Sequence, residues 1–139
     1  MHCKENSIFY LIYIYVDKES LSKIIREEYS VKYGRNRLVM NEKVGVIISI
    51  ENYQLNDFGL SKVKYATNDS EAMKKIFIEV LGIEERNIYY FKDEQFTYMA
   101  GKSELQYYLK QMSSDTELYI YYAGHGFFCE GKNYLTTYD

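Results

Sequence analysis

The chain has 139 residues, of which 47% are hydrophobic and 27% are charged, and this describes one globular domain that can bury roughly two thirds of its unfolded surface. The formal net charge of −3 gives no argument for nucleic acid or an anionic membrane as a partner, so we expect neither. Cys3 and Cys129 form neither a disulfide framework nor a metal signature, and two scattered cysteines fit a reducing, cytoplasmic location. No cluster of carboxylates has calcium-loop spacing, and we expect no metal and no cofactor.

Residues 1–42 are predicted to be an N-terminal extension made of a strand, a short helix and a polar linker. The run SIFYLIYIYV over residues 7–16 is too short to span a bilayer as a helix, and it has neither the basic start nor the cleavage site of a signal peptide. Its alternating Ile and Tyr favour a strand, and Asp17 can cap a short helix after it. Met40 resembles a fresh start, which gives the hypothesis that residues 1–39 are an extension or a mistaken upstream start.

Residues 43–139 are predicted to form an α/β domain. The apolar run VGVIISI over residues 44–50 is typical of a strand that is covered on both faces. A helix is predicted to begin at Asn68, with Glu71 as its capping-box partner. It ends at Gly82, and its predicted apolar face consists of Ala72, Met73, Ile76, Phe77, Val80 and Leu81.

The same alternation of strands and helices continues to the end of the chain. NIYYFK over residues 87–92 and ELYIYYA over residues 117–123 are predicted strands. Between them lies a predicted helix with one apolar side, formed by Leu105, Tyr108, Leu109 and Met112. Residues 127–139 are predicted to form a hairpin with Gly131 in its turn. The order strand, helix, strand, helix, strand implies right-handed crossovers and a three-layer α/β/α sandwich with a mostly parallel sheet.

The third of these strands leads into Gly124-His125-Gly126, the main candidate for a functional site. Glycine lacks a Cβ and permits a sharp turn, so the two glycines can leave the imidazole at the exposed end of a buried strand. In an α/β sheet, ligands bind at the carboxyl ends of the strands, and histidine exchanges a proton near neutral pH without special tuning. The alternative interpretation is a tight turn whose histidine is exposed and has no function.

Four segments together resemble a caspase-fold cysteine peptidase, nearer to the metacaspases and their bacterial relatives than to animal caspases. VGVIISIENYQ is similar to the family's opening strand with its Asn-Tyr exit, and VKYATNDSEAMKKIFIEVLGI is similar to the first helix with Asn-Asp at its start. NIYYFKDEQFT resembles the second strand and the acidic turn after it. ELYIYYAGHG, followed by GKNYLTTYD, resembles the strand of the catalytic histidine and its hairpin. The resemblance covers residues 43–139.

The resemblance implies a cysteine-type endopeptidase that acts on a protein or peptide substrate through a Cys-His dyad. By this resemblance His125 is the acid–base, and Gly126 offers its backbone N–H to the oxyanion. The family's cysteine follows the histidine by roughly 50 residues, beyond Asp139, so we expect a domain that is truncated at its C-terminal end and inactive alone. Cys129 is interpreted as a small, partly buried thiol and not as the nucleophile.

Two departures from the family's pattern concern the loop before the first helix. Tyr65 occupies a position at which relatives often have a glycine. Val63, which lies between Lys62 and Lys64, occupies the position of the arginine with which animal caspases select aspartate. The resemblance therefore weakens an aspartate preference and leaves a basic one open. The remaining acidic candidates are interpreted as structural, at the helix start or in turns: Asp57, Asp69, Asp93 and Asp115.

Two alternatives to the peptidase stay open at this point. The first is a non-catalytic caspase-fold module, or an inactive gene fragment, that binds a partner chain through a sheet edge left open by a missing strand. The second is an α/β domain of unrelated function whose Gly-His-Gly is coincidental, which predicts that His125 faces solvent. A small-residue–Cys motif after an apolar strand, about 50 residues beyond His125, favours the peptidase.

Overall fold

A computed structural model describes residues 4–16 as backbone and residues 43–54, 60–113 and 116–139 in full. The helix predicted after Asp17 lies outside the described residues. A π turn at Gly101–Leu105 joins two short helices, and 3₁₀ turns stand at Glu85–Asn87 and Asp93–Gln95. In chain order the elements are β1 (Lys4–Val16), β2 (Lys43–Ser49), α1 (Ala66–Glu79), β3 (Ile88–Lys92), α2 (Tyr98–Ala100), α3 (Gln106–Gln111), β4 (Glu117–Cys129) and β5 (Lys132–Leu135).

The strands form one mixed sheet in the order β1-β4-β2-β3, and β5 pairs with the far part of β4. β2 pairs in parallel with both β3 and β4, as strand–helix–strand units require. β1 and β5 run antiparallel to β4. The predicted α/β class is therefore confirmed, with a parallel centre and antiparallel additions to it. The side chains of Val44, Val46 and Ile47 on β2 are fully buried, as the continuous apolar run predicted.

The strand predicted within residues 7–16 is present as β1. It pairs with β4 along the edge opposite β2, from Val16 beside Leu118 to Lys4 beside Phe128. The edge that we expected to be open is therefore covered by the chain's own N-terminal strand, and that part of the prediction is wrong. An edge strand has unpaired backbone N–H and C=O groups. β1 and β4 satisfy these groups for each other by pairing.

The start of α1 differs from the prediction. The helix begins at Ala66, and its N-cap is Tyr65, whose side chain makes no capping hydrogen bond. The amide of Thr67 instead donates to Glu51 Oε2 at 3.2 Å, so a carboxylate from another segment satisfies one of the free N–H groups of the first turn. The predicted capping box is therefore wrong, because Asn68 lies inside the first turn.

The buried face of α1 also differs in part. Ala66, Ser70 and Phe77 are its buried residues, and Met73 packs against the same core. These positions follow the spacing of one helix face, and they place Phe77 against the sheet. Exposed fractions of 43% for Ile76 and 74% for Val80 show that the predicted apolar face is right at its centre and wrong along one side.

The second helical segment agrees with its prediction. The four residues predicted for its apolar side are partly buried against the core: Leu105, Tyr108, Leu109 and Met112. The ring of Tyr108 stacks on Tyr89 of β3 with 4.1 Å between centroids, which fixes this segment on the sheet. No helix in the described ranges is long and apolar enough to cross a membrane.

β4 is longer than predicted and continues to Cys129. β2 ends where Ser49 faces Ala123, and β5 then pairs with the remainder of β4. The predicted hairpin is confirmed. Its turn residues Glu130 and Gly131 have φ values of 50° and 78°, and positive φ at both central residues is the backbone of a two-residue type I′ turn.

Candidate active site

His125 lies inside β4, just past the point where the parallel pairing with β2 ends. Only 4% of its surface is exposed, so the predicted position at an exposed strand end is wrong. Gly124 and Gly126 make no turn, because β1 and β5 continue the sheet on both edges of β4 beyond Ala123. The burial of His125 equally contradicts the interpretation of a solvent-facing histidine in a tight turn.

The imidazole is oriented by a backbone carbonyl. His125 Nε2 lies 2.6 Å from the carbonyl oxygen of Ser61. A carbonyl only accepts hydrogen bonds, so we assign the proton of the neutral ring to Nε2 and the lone pair to Nδ1. Nδ1 is buried and has no hydrogen-bond partner among the described residues. The Nε2 contact therefore orients the ring and leaves Nδ1 as an acceptor with no partner in the described part of the chain.

Two tyrosines and a threonine hold the backbone of His125. Its N–H donates to Tyr53 Oη at 2.6 Å, and its carbonyl accepts from the Tyr122 hydroxyl at 2.7 Å. Thr136 Oγ1 lies 2.8 Å from the same carbonyl and 3.0 Å from Tyr53 Oη. The Tyr53 and His125 rings are also in contact, with 5.2 Å between centroids. Such a connected network fixes the residue more firmly than separate bonds do.

The absence of a side chain at Gly124 makes this network possible. A Cβ there would lie 2.5 Å from Tyr122 Oη and 2.7 Å from Tyr53 Oη, closer than packed atoms allow. Burial raises the pKa of the Tyr122 phenol far above its ordinary value, so this hydroxyl stays protonated and donates. Gly124 is therefore required because two hydroxyls approach the backbone, and not because the chain turns.

Asp93 positions the segment that carries Tyr53. Its Oδ1 accepts from the backbone N–H of Glu51 at 2.7 Å and of Asn52 at 3.0 Å, and its Oδ2 accepts from Asn52 Nδ2 at 3.0 Å. Asp93 begins a 3₁₀ turn with a φ of 42°, which confirms its prediction as a turn residue. Asp57 and Asp115 lie outside the described residues. The carboxylate thus joins the end of β3 to the exit of β2.

The loop that supplies the Ser61 carbonyl also lines a cleft of about 440 Å³ with Glu51, Lys62, Lys64, Tyr65 and Asn68. Lys62 Nζ lies 3.0 Å from Glu51 Oε1, and this hydrogen bond lowers the pKa of Glu51 against an opposing effect of burial. Val63 is only 1% exposed, so its side chain belongs to the core.

Tyr65 stands in the same loop with a φ of 70°, a left-handed conformation that costs a non-glycine residue energy. The backbone of Tyr65 is therefore strained at this position, where the sequence resemblance led us to expect a glycine. Asp69 lies in the first turn of α1, and its backbone N–H donates to the Tyr65 carbonyl at 2.9 Å. This backbone hydrogen bond joins the loop to the first turn of α1.

Cys129 is disulfide-bonded, so its interpretation as a partly buried thiol is wrong. A disulfide sulfur is not a nucleophilic thiolate, so Cys129 is not a candidate nucleophile. The other cysteine of the chain, Cys3, lies outside the described residues, as does His2.

Within the described ranges no three His, Cys, Asp or Glu side chains are grouped so that they could hold a metal ion.

Sequence reasoning proposed His125 and Gly126 but missed the residues that hold them. Ser61, Tyr53 and Thr136 are separated from His125 by 64, 72 and 11 positions respectively. Tyr53 was visible only as part of the Asn-Tyr exit after the first core strand. Ser61 acts through its backbone carbonyl, for which residue type carries no signal.

Comparison with known proteins gives a family match. A family model described as the caspase domain matches residues 42–139, which include the whole candidate site and begin beside β2. No curated protein matches the chain. No solved structure matches it either.

Proposed function

The chain belongs to the caspase-domain family, and on this premise we propose that it is the histidine-bearing part of a cysteine-type endopeptidase. The family assignment establishes a caspase-like peptidase domain, and a peptidase acts on protein. The observation that carries the proposal is the 2.6 Å contact between His125 Nε2 and the Ser61 carbonyl, because it leaves Nδ1 as the nitrogen that can exchange a proton.

His125 is the proposed acid–base. Its Nδ1 takes the proton of a cysteine thiol as the sulfur attacks the carbonyl carbon of the substrate peptide bond. The imidazolium then gives this proton to the leaving amine, and an acyl-enzyme remains. The Ser61 carbonyl accepts from Nε2–H throughout, which keeps the ring oriented in both of its protonation states.

Gly126 is the proposed oxyanion donor. Its backbone N–H follows the acid–base directly in the chain, and donors of this kind stabilise the negative charge that develops on the attacked carbonyl oxygen. A glycine permits close approach of a substrate carbonyl to the backbone. Both roles rest on the family's pattern in residues 124–126 and on the fixed position of β4.

Among the described residues no cysteine is a candidate for the nucleophile, because Cys129, the cysteine they contain, is disulfide-bonded. We therefore propose that the 139-residue chain alone does not hydrolyse peptides. The experiment assays this chain beside the product of the complete reading frame that contains it, with peptides that carry basic or acidic residues before the cleaved bond.

We expect cleavage only by the complete product, and we expect His125→Ala to lower kcat/KM on the order of 10³-fold or more. Tyr134→Phe, on the exposed hairpin, is the control and leaves the rate unchanged. A complete product without a small-residue–Cys motif, or one that cleaves equally well after His125→Ala, contradicts the proposal. The protein is then best explained as a non-catalytic caspase-fold binding module.

The proposed location is the cytoplasm, and cell fractionation tests it. The disulfide of Cys129 argues against this part of the proposal, because such bonds are rare in a reducing compartment. We propose no nucleic acid and no membrane as a partner, given the net charge of −3. The open sheet edge is no longer part of the proposal, since β1 covers it.

A further inference from the structure

The backbone groups of His125 reveal which edge of β4 each neighbouring amide faces. The N–H of His125 donates to Tyr53 Oη at 2.6 Å, and its carbonyl accepts from Thr136 N at 3.1 Å. Both partners lie on the edge that β2 and β5 share. Successive residues of a strand present their N–H and C=O groups to alternate edges. The N–H groups of Gly124 and Gly126 therefore point to the opposite edge.

β1 occupies that opposite edge. The register places Phe9 beside Gly124 and Ser7 beside Gly126. In an antiparallel ladder, paired residues whose backbone groups face each other exchange N–H···O=C bonds, so the amide of Gly126 is directed at the backbone of β1. This strand precedes residues 42–139, which the family model matches.

We infer that β1 is an autoinhibitory strand that covers the Gly126 amide and must leave β4 before the site can bind an oxyanion. The inference rests on the proposed function, because it takes the N–H of Gly126 as the oxyanion donor. A backbone amide has one proton, and a hydrogen bond weakens steeply when its geometry departs from linearity. The amide therefore cannot serve a strand carbonyl and a substrate oxyanion at once.

β1 can leave without dismantling the rest of the sheet. It is the outer strand in the order β1-β4-β2-β3, so among the described residues its backbone pairs with β4 alone. The disulfide of Cys129 lies at the far end of β4, beyond the stretch that faces Gly124 and Gly126. Its register is interrupted between Lys4 and Ser7 and again between Leu11 and Ile14. The stretch opposite His125 is therefore a short ladder between two irregularities, at which strand pairing is locally disrupted.

Two pairs of proline substitutions in the full chain test the inference. Ser7→Pro with Phe9→Pro removes the N–H groups that face β4 and breaks the ladder. The matched control is Ile8→Pro with Tyr10→Pro, which removes the neighbouring N–H groups that face away from the sheet, where an edge strand tolerates proline. Both variants carry two prolines within residues 7–10, so the number and the location of the prolines are matched while the affected edge of the strand differs.

The readout is residue-resolved amide hydrogen exchange. In the first variant we expect the amides of Gly124 and Gly126 to exchange on the order of 100-fold faster, while the amide of His125, held by Tyr53, keeps its rate. In the control variant all three keep the rates of the parent chain. Unchanged exchange at Gly126 in the first variant overturns the inference, and so does equal acceleration at His125, which reports opening of the whole sheet.

This readout does not depend on catalysis, so it separates the inference from the proposed function. The same substitutions in the product of the complete reading frame are assayed for peptide cleavage, where the first pair is expected to raise kcat/KM about 10-fold, a gain of about 1.4 kcal/mol. Faster exchange with no cleavage in any variant supports the covering strand and contradicts the peptidase. Faster exchange with cleavage that is unchanged from the parent overturns the autoinhibitory role.

Discussion

The two edges of β4 at His125 are held by different kinds of interaction. On the edge shared by β2 and β5, the hydroxyl groups of Tyr53, Tyr122 and Thr136 contact the backbone of His125 at 2.6–2.8 Å or contact one another. On the other edge, β1 pairs with β4 as a backbone ladder. The first edge depends on particular side chains, and the second depends on a strand from outside the matched residues.

The position of the imidazole and the accessibility of the neighbouring Gly126 amide therefore depend on different interactions. Substitutions that disturb the hydroxyl network are expected to move His125 and to lower stability, because the network is buried. Changes to β1 are expected to alter what reaches Gly126 while the imidazole stays in place. The following predictions address the first edge and the loop next to it.

Gly124→Ala is expected to have the largest effect, a loss of about 3 kcal/mol in the free energy of unfolding. The new Cβ would lie 2.5 Å from Tyr122 Oη and 2.7 Å from Tyr53 Oη, so both hydroxyls must move away from His125. Urea denaturation measures the loss. Gly82→Ala is the control, because Gly82 has a φ of +67° with no atom within 4 Å of the new Cβ, and it is expected to cost about 1 kcal/mol. Equal losses would contradict the steric explanation.

Tyr122→Phe is expected to cost about 2 kcal/mol, because it leaves buried carbonyl oxygens short of a donor. The hydroxyl lies 2.7 Å from the His125 carbonyl and 2.9 Å from that of Thr136. Thermal or urea unfolding gives the value, with Tyr134→Phe as the matched control, since Tyr134 is 42% exposed and its change is expected to stay within about 0.5 kcal/mol. Indistinguishable variants would show that the network does not stabilise the fold.

Tyr65→Gly is expected to have the smallest effect and the opposite sign, a gain of about 1 kcal/mol. Tyr65 has a φ of 70° and is 66% exposed, so glycine relieves the left-handed strain and removes little packing. Tyr98→Gly is the comparison, because Tyr98 is 58% exposed at the start of a helix and glycine there is expected to destabilise. A loss of stability in Tyr65→Gly would mean that the side chain itself supports the loop.

The strands and the second helix could be predicted because their signals are local. Continuous apolar runs and residues with β propensity mark buried strands wherever the chain places them. The start of α1 could not be predicted in this way, because the amide of Thr67 donates to the carboxylate of Glu51, which lies 16 positions earlier in the chain. The predicted capping box was the best local solution, and a distant partner replaced it.

The candidate site shows the same division. His125 and Gly126 could be proposed from a short motif and the family's order of segments, and the matched family supports the context in which they stand. The burial of His125 could not be foreseen, since β1 and β5 extend the sheet on both sides of it. Pairing of β1 with β4 joins segments more than 100 positions apart, for which the sequence pattern contains no register information. The proposed domain boundary at residues 42 and 43 stays a prediction.

The two-residue turn at Glu130 and Gly131 has a consequence for how the length of this hairpin can vary in evolution. The turn sets the register in which Gly126 faces Leu135, and the next residue, Thr136, then meets the His125 carbonyl. Adding or deleting one residue would shift the returning segment by one step and move the Thr136 hydroxyl to the other face of the sheet. Among relatives that keep this threonine contact, insertions and deletions in the hairpin are therefore expected to come in even numbers.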